Sequence, residues 1–121
     1  MLVFVSGPYK GLDEMYSIVP AFCVIGVLEK PVQLSPLYCD LKTYLNRGLV
    51  VHGERRCGDL IICHSTDFWA WYQHAAVYLG RYGDDALVFH KPSKSPACIQ
   101  TLGDLLTKDM FTTAYRFDIK E

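Results

Sequence analysis

Apolar and polar positions alternate most regularly in the middle of the chain, where two runs of β-forming residues flank a short polar segment. The first run is 74–80 and the second is 87–90. Gly80, Gly83 and Asp84, which lie at or after the end of the first run, are residues that favour turns. The pattern therefore predicts two antiparallel strands joined by a tight loop.

Each predicted strand carries a histidine at the open end of this hairpin. With the loop centred just before Gly83, the numbers of paired residues should sum to about 165. His74 then pairs with residue 91. In the same register His90 pairs with residue 75, so we expect the two imidazoles to lie close enough to orient each other. A single histidine at a strand end is more often a half-exposed polar residue, and it is the pairing that favours a site.

Two segments in the N-terminal half are candidate helices. The apolar segment 21–28 follows Pro20 and ends before Pro31, which suit a helix start and a helix stop. A central strand fits its β-branched residues nearly as well, so both interpretations stay open. The segment 36–48 follows a serine cap, repeats leucine and tyrosine at helical spacing and ends at a glycine, which predicts a helix more firmly.

The C-terminal half is richer in strand patterns. Strands are predicted at 60–63, near residue 99 and at 113–119, and a short helix is predicted over 102–106 from a start that resembles a capping box. Helices therefore come first and antiparallel strands follow. This order predicts an α+β fold, in which N-terminal helices pack on a central antiparallel β-sheet, as one domain over residues 1–121.

Composition and charge narrow the class of protein. With 121 residues, of which 50% are hydrophobic, the chain is long enough for one packed core. Its net charge of −1 provides no basic face, so nucleic acid is not an expected partner. The first apolar run is too short for a signal peptide, and no stretch approaches the roughly 20 apolar residues of a membrane helix. We therefore expect no membrane partner and a cytoplasmic location by default, with signal-less export and the oligomeric state left open.

The cysteine pattern does not suggest a disulfide framework or a zinc site. Five cysteines stand at positions 23, 39, 57, 63 and 98, an odd number without a Cys-x-x-Cys pair. The sequence also lacks a nucleotide-binding loop and a cluster of metal ligands, so we expect neither a cofactor nor a metal. At least one thiol is expected to be free.

A free thiol near a histidine pair favours nucleophilic chemistry. Cysteine reacts as the thiolate, and a helix N-terminus together with an adjacent imidazolium lowers the pKa of the thiol. Cys23 lies in the first turns of the segment after Pro20, and Cys39 lies in the first turn of the helix predicted over 36–48. Both qualify by position, although each taken alone is more often an ordinary buried thiol.

Three elements in order resemble the core of the NlpC-type cysteine peptidases and amidases, papain-like enzymes that cut bacterial cell-wall peptides. They are Gly-Asp-Leu at 58–60, His-Ala-Ala-Val-Tyr-Leu-Gly at 74–80 and Val-Phe-His at 88–90. The resemblance covers residues 58 to 92. It implies a papain-like core, with His74 as the catalytic histidine and His90 as the third polar residue.

The resemblance also implies a nucleophile upstream of the histidines. Cys23 precedes His74 by 51 residues, close to the usual separation in that family, whereas Cys39 precedes it by 35. We therefore predict Cys23 as the nucleophile, although Phe-Cys-Val-Ile-Gly stands where the family has Asp-Cys-Ser-Gly. The aromatic residues predicted to line the substrate cleft are Tyr9, Trp69 and Trp71.

The activity that the resemblance implies is hydrolysis of an amide or peptide bond, in a substrate similar to a cell-wall peptide. Cys23 would attack the carbonyl, His74 would transfer the proton, and His90 would fix the tautomer of His74. Two alternatives use the same scaffold: a catalytically inactive binding or inhibitory module, and a thiol acyltransferase or deamidase. A permuted branch, the lecithin retinol acyltransferase-like proteins, has a similar histidine block and a downstream nucleophile. Cys98 would take that place, without the Asn-Cys signature of those proteins.

Overall fold

A seven-stranded antiparallel sheet forms the framework of the protein. The structure is a computed structural model that describes residues 2–4, 21, 25, 45–65, 74–92, 96–106 and 110–117. The strands are β1 (Leu2–Phe4), β2 (Leu49–Val50), β3 (Leu60–Ser65), β4 (His74–Tyr82), β5 (Asp85–His90), β6 (Cys98–Thr101) and β7 (Met110–Arg116). The helix α1 (Leu102–Leu105) lies entirely within the described residues.

The strand order across the sheet is β1-β6-β5-β4-β3-β7-β2, and the neighbouring strands are antiparallel. β3 lies between β4 and β7, away from both edges of the sheet. Its apolar run from Leu60 to Cys63 is fully buried, which requires that both faces of the sheet are covered at this strand.

The core is divided between the two faces of the sheet, because successive strand residues point to opposite sides. The first face carries the buried residues Leu60, Ile62, Ala75, Val77 and Phe89, together with Ala21, Leu45 and Ala97. The second face carries Ile61, Cys63, Ala76, Tyr78, Val88 and Ala114, together with Leu102 of α1.

The prediction of an α+β fold with N-terminal helices packed on a sheet, the papain-like core, is wrong, because the described residues are mainly β. Near the N-terminus, β1 forms one edge of the sheet and pairs with β6, where Leu2 lies opposite Gln100. Helical spacing is a local property of a sequence. A strand such as β1 depends instead on pairing with a segment at the other end of the chain, which local spacing does not reveal.

Parts of the two predicted N-terminal helices lie within the described residues. The N–H of Ile25 donates to the carbonyl of Ala21 at 3.1 Å, and the N–H of Gly48 donates to the carbonyl of Leu45 at 3.0 Å. Hydrogen bonds of this spacing are those of a helical turn. Ala21 and Leu45 are buried on the first face. Residues 22–24, 26–28 and 36–44 of the two predicted segments lie outside the described part of the chain.

Helix α1 is capped differently from the prediction. Thr101 is its N-cap but makes no side-chain cap hydrogen bond, so the predicted capping box with Asp104 is wrong. The N–H of Gly103 donates instead to the two carboxylate oxygens of Asp85, at 3.1 and 3.2 Å. Because Asp85 begins β5, this contact ties α1 to the hairpin.

The predicted hairpin is present as β4 and β5, joined by the two-residue turn Gly83-Asp84. Gly83 has a φ of +61°, and Asp84 does not have a positive φ. This combination fits a type II′ turn, in which glycine takes the first central position. Further along the hairpin, a β-bulge interrupts the ladder between Tyr78 and Gly80.

The register predicted for this hairpin is wrong by one to two residues. Tyr82 pairs with Asp85, so paired numbers sum to 167 at the turn. Val77 pairs with Phe89, so the sum is 166 beyond the bulge. The sequence prediction assumed a regular ladder and a loop centred too early, whereas the turn lies at Gly83-Asp84 and the bulge adds one residue to β4.

Candidate active site

Three adjacent strands bring a histidine pair and a thiol together. His74 is the first residue of β4, His90 is the last residue of β5, and Cys98 is the first residue of β6. Because neighbouring strands are antiparallel, the start of one strand lies beside the end of the next. Cys98 is the direct ladder partner of His90.

The bulge in β4 places the two histidines on the same face of the sheet. Tyr78 pairs with Val88, and both side chains point to the second face. His74 and His90 each lie an even number of residues further along their strands, so they point the same way. If the turn register continued without a bulge, the pairing would shift by one residue and His90 would point to the face opposite His74.

The imidazole rings of the pair are in direct contact. Nε2 of His74 lies 2.8 Å from Nδ1 of His90, a hydrogen-bond distance. The ring centroids are 4.9 Å apart, and the rings meet edge to face at 79°. Because one nitrogen must donate and the other accept, each ring fixes the tautomer and the orientation of the other.

The second ring nitrogen of His90 faces a thiol and an amide. Nε2 of His90 lies 3.2 Å from Sγ of Cys98 and 2.9 Å from Oε1 of Gln100. Sγ of Cys98 also lies 3.7 Å from Oε1 of Gln100. Cys98 and Gln100 are two residues apart in β6, so their side chains share a face. These four side chains, His74, His90, Cys98 and Gln100, form the histidine–thiol cluster.

Burial keeps the histidine–thiol cluster neutral. It lowers the pKa of His74 to about 4, and the neighbouring charge of His90 acts in the same direction. Burial also lowers the pKa of His90, although the hydrogen bond with Gln100 opposes this effect. The pKa of the Cys98 thiol is raised by burial. A neutral thiol beside a neutral imidazole is therefore the resting form near neutral pH, rather than a thiolate–imidazolium pair.

Of the residues predicted to form the site, the structure brings His74 and His90 together. Cys98, which the sequence suggested only under the permuted alternative, is in contact with the pair. The predicted nucleophile Cys23, the alternative Cys39 and the predicted cleft residues Tyr9, Trp69 and Trp71 lie outside the described residues.

Gln100 was missed by the sequence analysis, and Cys98 was given too little weight. The available signal was their spacing, because Cys-x-Gln at the start of a predicted strand places both side chains on one face. What the sequence did not give was the pairing of that strand with β5, which sets Cys98 opposite His90. Without that pairing, the polar character of Gln100 indicates only a partly exposed strand position.

The other described thiols are placed differently. Cys63 lies opposite His74 in the ladder between β3 and β4. It is fully buried, and burial raises its pKa to about 11, despite an opposing effect of the charge of Arg55. Cys57 is exposed in the turn before β3. Neither position favours a nucleophile as directly as the contact of Cys98 with His90.

The Gly-Asp-Leu motif of the resemblance has a structural role in this fold. The buried Asp59 carboxylate accepts hydrogen bonds from Nε and Nη2 of Arg116, at 2.9 and 2.8 Å, and from the N–H of Arg56 at 2.8 Å. Burial alone would raise the pKa of Asp59, but these hydrogen bonds and the two arginine charges hold it below its ordinary value. Gly58, with a φ of +96°, donates its N–H to the carbonyl of Tyr78. The motif therefore fixes the start of β3 to β4 and β7.

Lys91, which follows His90 directly, is buried rather than solvated. Its side chain is 1% exposed, and Nζ donates to the carbonyl of Pro92 at 2.7 Å.

An open cleft of about 510 Å³ lies on the second face, at the turn end of the hairpin. Tyr78, Arg81 and Ala86 form part of its lining, together with Arg55 and Leu102. Tyr78 and His74 are four residues apart in β4, which corresponds to roughly 13 Å along a strand. The cleft therefore lies beyond direct contact with the histidine–thiol cluster.

The described residues give no indication of a metal centre or of a membrane-spanning helix. Within these ranges, no three His, Cys, Asp or Glu side chains are grouped so that they could hold a metal ion. No helix in the same part of the chain is long and apolar enough to cross a membrane.

The comparisons with known proteins do not place the chain in a family. No protein family matches it, and neither the curated proteins nor the solved structures include a match. The similarity to the NlpC-type enzymes thus remains a resemblance that rests on three short motifs.

Proposed function

We propose that the protein is a thiol-dependent hydrolase that cleaves an amide or peptide bond through a Cys-His-His arrangement. Cys98 is the nucleophile, His90 is the general base, and His74 orients His90. The observation that carries this proposal is the position of His90, with Nε2 at 3.2 Å from the thiol and Nδ1 at 2.8 Å from His74. A base held by a third group beside a nucleophile is the arrangement used in acyl transfer.

The reaction proceeds in two steps. Sγ of Cys98 attacks the carbonyl carbon while Nε2 of His90 takes the thiol proton, and the same nitrogen then protonates the leaving amine as the C–N bond breaks. Water then attacks the thioester, giving one proton to His90, and the proton returns to the thiolate as the C–S bond breaks. During both steps Nδ1–H of His90 donates to Nε2 of His74.

The low pKa of His74 suits this role. With a pKa of about 4, His74 stays neutral near pH 7, so in the tautomer protonated at Nδ1 its Nε2 can accept from His90. A positively charged His74 would instead repel the imidazolium that forms at His90. His74 is therefore a positioning residue, and His90 exchanges the proton with the reacting atoms.

One observation favours a second function, a binding or inhibitory module without catalysis. The side chain of Cys98 is 2% exposed, and its pKa is raised by burial, which is typical of an inert structural thiol. A thiol acyltransferase or deamidase would use the same residues as the hydrolase and differ only in the acceptor of the acyl group.

Reaction with a small activated ester tests the proposal. The protein is incubated with p-nitrophenyl acetate, and the acetylated residue is identified by mass spectrometry of the digested protein. A Cys57→Ser background removes the thiol that is exposed among the three described cysteines. We expect a single acetylated residue, Cys98, and a loss of acetylation rate of roughly 100-fold in His90→Gln, the usual effect of removing a general base.

Matched variants separate the alternatives. Cys63→Ala removes a buried thiol of the same face and should leave the acetylation rate unchanged, whereas Cys98→Ala should abolish it. Acetylation of Cys23 with Cys98 unmodified would contradict the assignment of Cys98 and support the upstream nucleophile. Slow, equal modification of several cysteines, insensitive to His90→Gln, would favour the binding module.

A further inference from the structure

We propose that Gln100 is a positioning residue that holds His90 in the tautomer protonated at Nε2, and so keeps the base from accepting the Cys98 proton in the resting protein. The regulatory meaning of this inference rests on the proposed function. The tautomer itself does not, because it follows from hydrogen-bond chemistry within the histidine–thiol cluster.

The carbonyl oxygen of Gln100 determines which nitrogen of His90 carries a proton. Oε1 is only an acceptor, and it lies 2.9 Å from Nε2 of His90, so this nitrogen must donate. In a neutral imidazole the other nitrogen is then an acceptor. Nδ1 of His90 therefore accepts the proton of His74 Nε2, 2.8 Å away.

The thiol completes the same network. The S–H of Cys98 donates to Oε1 of Gln100 at 3.7 Å, an oxygen that has two lone pairs and can accept from both neighbours. The thiol proton of Cys98 and the Nε2 protons of His74 and His90 then each have an acceptor. In this arrangement Nε2 of His90 faces the thiol with a proton already attached, so it cannot act as a base toward Sγ.

Base action needs the opposite tautomer. Nε2 of His90 must be free to accept from Cys98, and Nδ1–H must donate to Nε2 of His74, so both neutral rings must carry their proton on Nδ1 instead of Nε2. The carbonyl of Gln100 would then face a bare nitrogen, so it must turn away or be displaced. The approach of a substrate carbonyl or amide toward Cys98 could supply a new partner for Gln100. Gln100 therefore separates a resting and an active proton arrangement.

The fold holds Gln100 firmly in this position. Its backbone lies between two ladder partners, Leu2 of β1 and Val88 of β5. Val88 is fully buried on the second face, and the next residue of β5 on that face is His90. A strand paired on both sides keeps the Cα of Gln100 fixed, which leaves the amide torsions as the adjustable part.

Nitrogen NMR of the histidines in the full chain tests the inference without a substrate. In the wild type we expect the ¹⁵N shift of Nε2 of His90 to be that of a protonated nitrogen and the shift of Nδ1 to be that of an unprotonated one. Gln100→Met removes the acceptor at similar size, and we expect the two shifts to exchange. Gln100→Glu retains a carboxylate acceptor and should keep the wild-type pattern.

The outcomes are decisive in either direction. An unprotonated Nε2 in the wild type, or unchanged nitrogen shifts in a folded Gln100→Met protein, would overturn the inference. If Gln100→Met does not fold, the wild-type and Gln100→Glu spectra still decide it. Ile99→Val, a change on the other face of β6, should leave the His90 shifts unaltered.

The alkylation of Cys98 by iodoacetamide gives a second readout. In Gln100→Met the base faces the thiol, so the rate should rise several-fold, whereas Gln100→Glu should not increase it. Exchange of the His90 shifts without acetylation by p-nitrophenyl acetate would uphold the inference and contradict the proposed function. If Cys98 is acetylated while His90 in the resting protein is protonated only at Nδ1, the proposed function would be upheld and the inference about Gln100 would be contradicted.

Discussion

At the scale of single residues, burial makes the histidine pair sensitive to acid. Above pH 6.5, the ordinary pKa of histidine, His74 is neutral in both the folded and the unfolded chain. Below that pH the unfolded chain takes up the proton first, because the pKa of His74 in the folded protein is about 4. The stability contributed by neutral His74 is therefore complete above pH 6.5 and is lost as the pH falls toward 4.

We expect the free energy of unfolding to decrease between pH 7.5 and pH 5, with about 2 kcal/mol of the loss due to His74. Urea denaturation at both pH values measures this change. The variant His74→Gln, which cannot titrate in this range, should lose correspondingly less stability over the same interval. His52→Gln, a change at an exposed histidine, serves as the control and should keep the wild-type dependence. Equal pH dependence in all three proteins would contradict the assignment to His74.

A second prediction at this scale concerns the buried carboxylate before β3. Asp59→Asn removes the charge that receives two hydrogen bonds from Arg116. We expect a loss of roughly 2 kcal/mol in the free energy of unfolding, as is usual when a buried charged hydrogen bond is weakened. Glu54→Gln, at an exposed position of the same loop, is the matched control and should change the stability little. Urea denaturation at pH 7 measures both variants. Similar free energies of unfolding would argue against a stabilising role of the hydrogen bonds between Asp59 and Arg116.

At the scale of secondary-structure elements, the turn of the hairpin depends on one glycine. Gly83 has a φ of +61°, a left-handed conformation in which a Cβ atom is strained. Gly83→Ala should therefore lower the free energy of unfolding by about 1 kcal/mol. Gly53→Ala is the matched control, because that glycine lacks a positive φ and a Cβ there would meet nothing within 4 Å. A thermal melt that ranks the two variants equally would contradict this account of the turn.

The hairpin also shows how far the sequence could predict the site. Alternating apolar residues and a Gly-Asp turn were enough to predict two strands that place His74 and His90 at one end. The register was not predicted, because Gly80, which lies beside the bulge at Leu79, was interpreted as a turn residue, whereas β4 continues past it to Tyr82. The predicted regular register would in fact have put the two histidines on opposite faces.

Other parts of the site depended on contacts between distant segments. Cys98 contacts His90 only because β5 and β6 pair. A strand pattern near residue 99 does not indicate which strand it pairs with. The helical spacing in the N-terminal half suggested a helix-rich fold for a related reason, since local periodicity carries no information on which strands pair. Cys23, chosen from its separation from His74, stays a prediction because it lies outside the described residues.

At the scale of the whole molecule, the sheet joins segments that are far apart in the sequence. β1 covers the outer edge of β6, and Phe4 pairs with Cys98. Deletion of residues 1–4 would turn β6 into an edge strand without removing a side chain of the histidine–thiol cluster. We expect faster amide hydrogen exchange in β6 and a lower melting temperature, because edge strands open more readily.

A change at the opposite edge provides the control for this deletion. Leu49→Pro alters β2, which pairs with β7 and is separated from β6 by four strands. In the Leu49→Pro protein, the amide hydrogens of β6 should exchange at the wild-type rate, even if the protein is less stable overall. Unchanged exchange in β6 after deletion of residues 1–4, measured by NMR or mass spectrometry, would show that β1 does not support the site.

The extra residue in β4 has a consequence for how the protein could be altered by selection. Because the irregular ladder is what aligns the two rings, changes that restore a regular hairpin would favour a tighter sheet while separating the histidines. If the protein has the proposed function, stability and catalysis would then be opposed at a position that touches none of the proposed reacting atoms. Variants selected for heat resistance alone should therefore tend to lose the contact between the two imidazoles. Variants selected for turnover in the proposed reaction should retain the β-bulge.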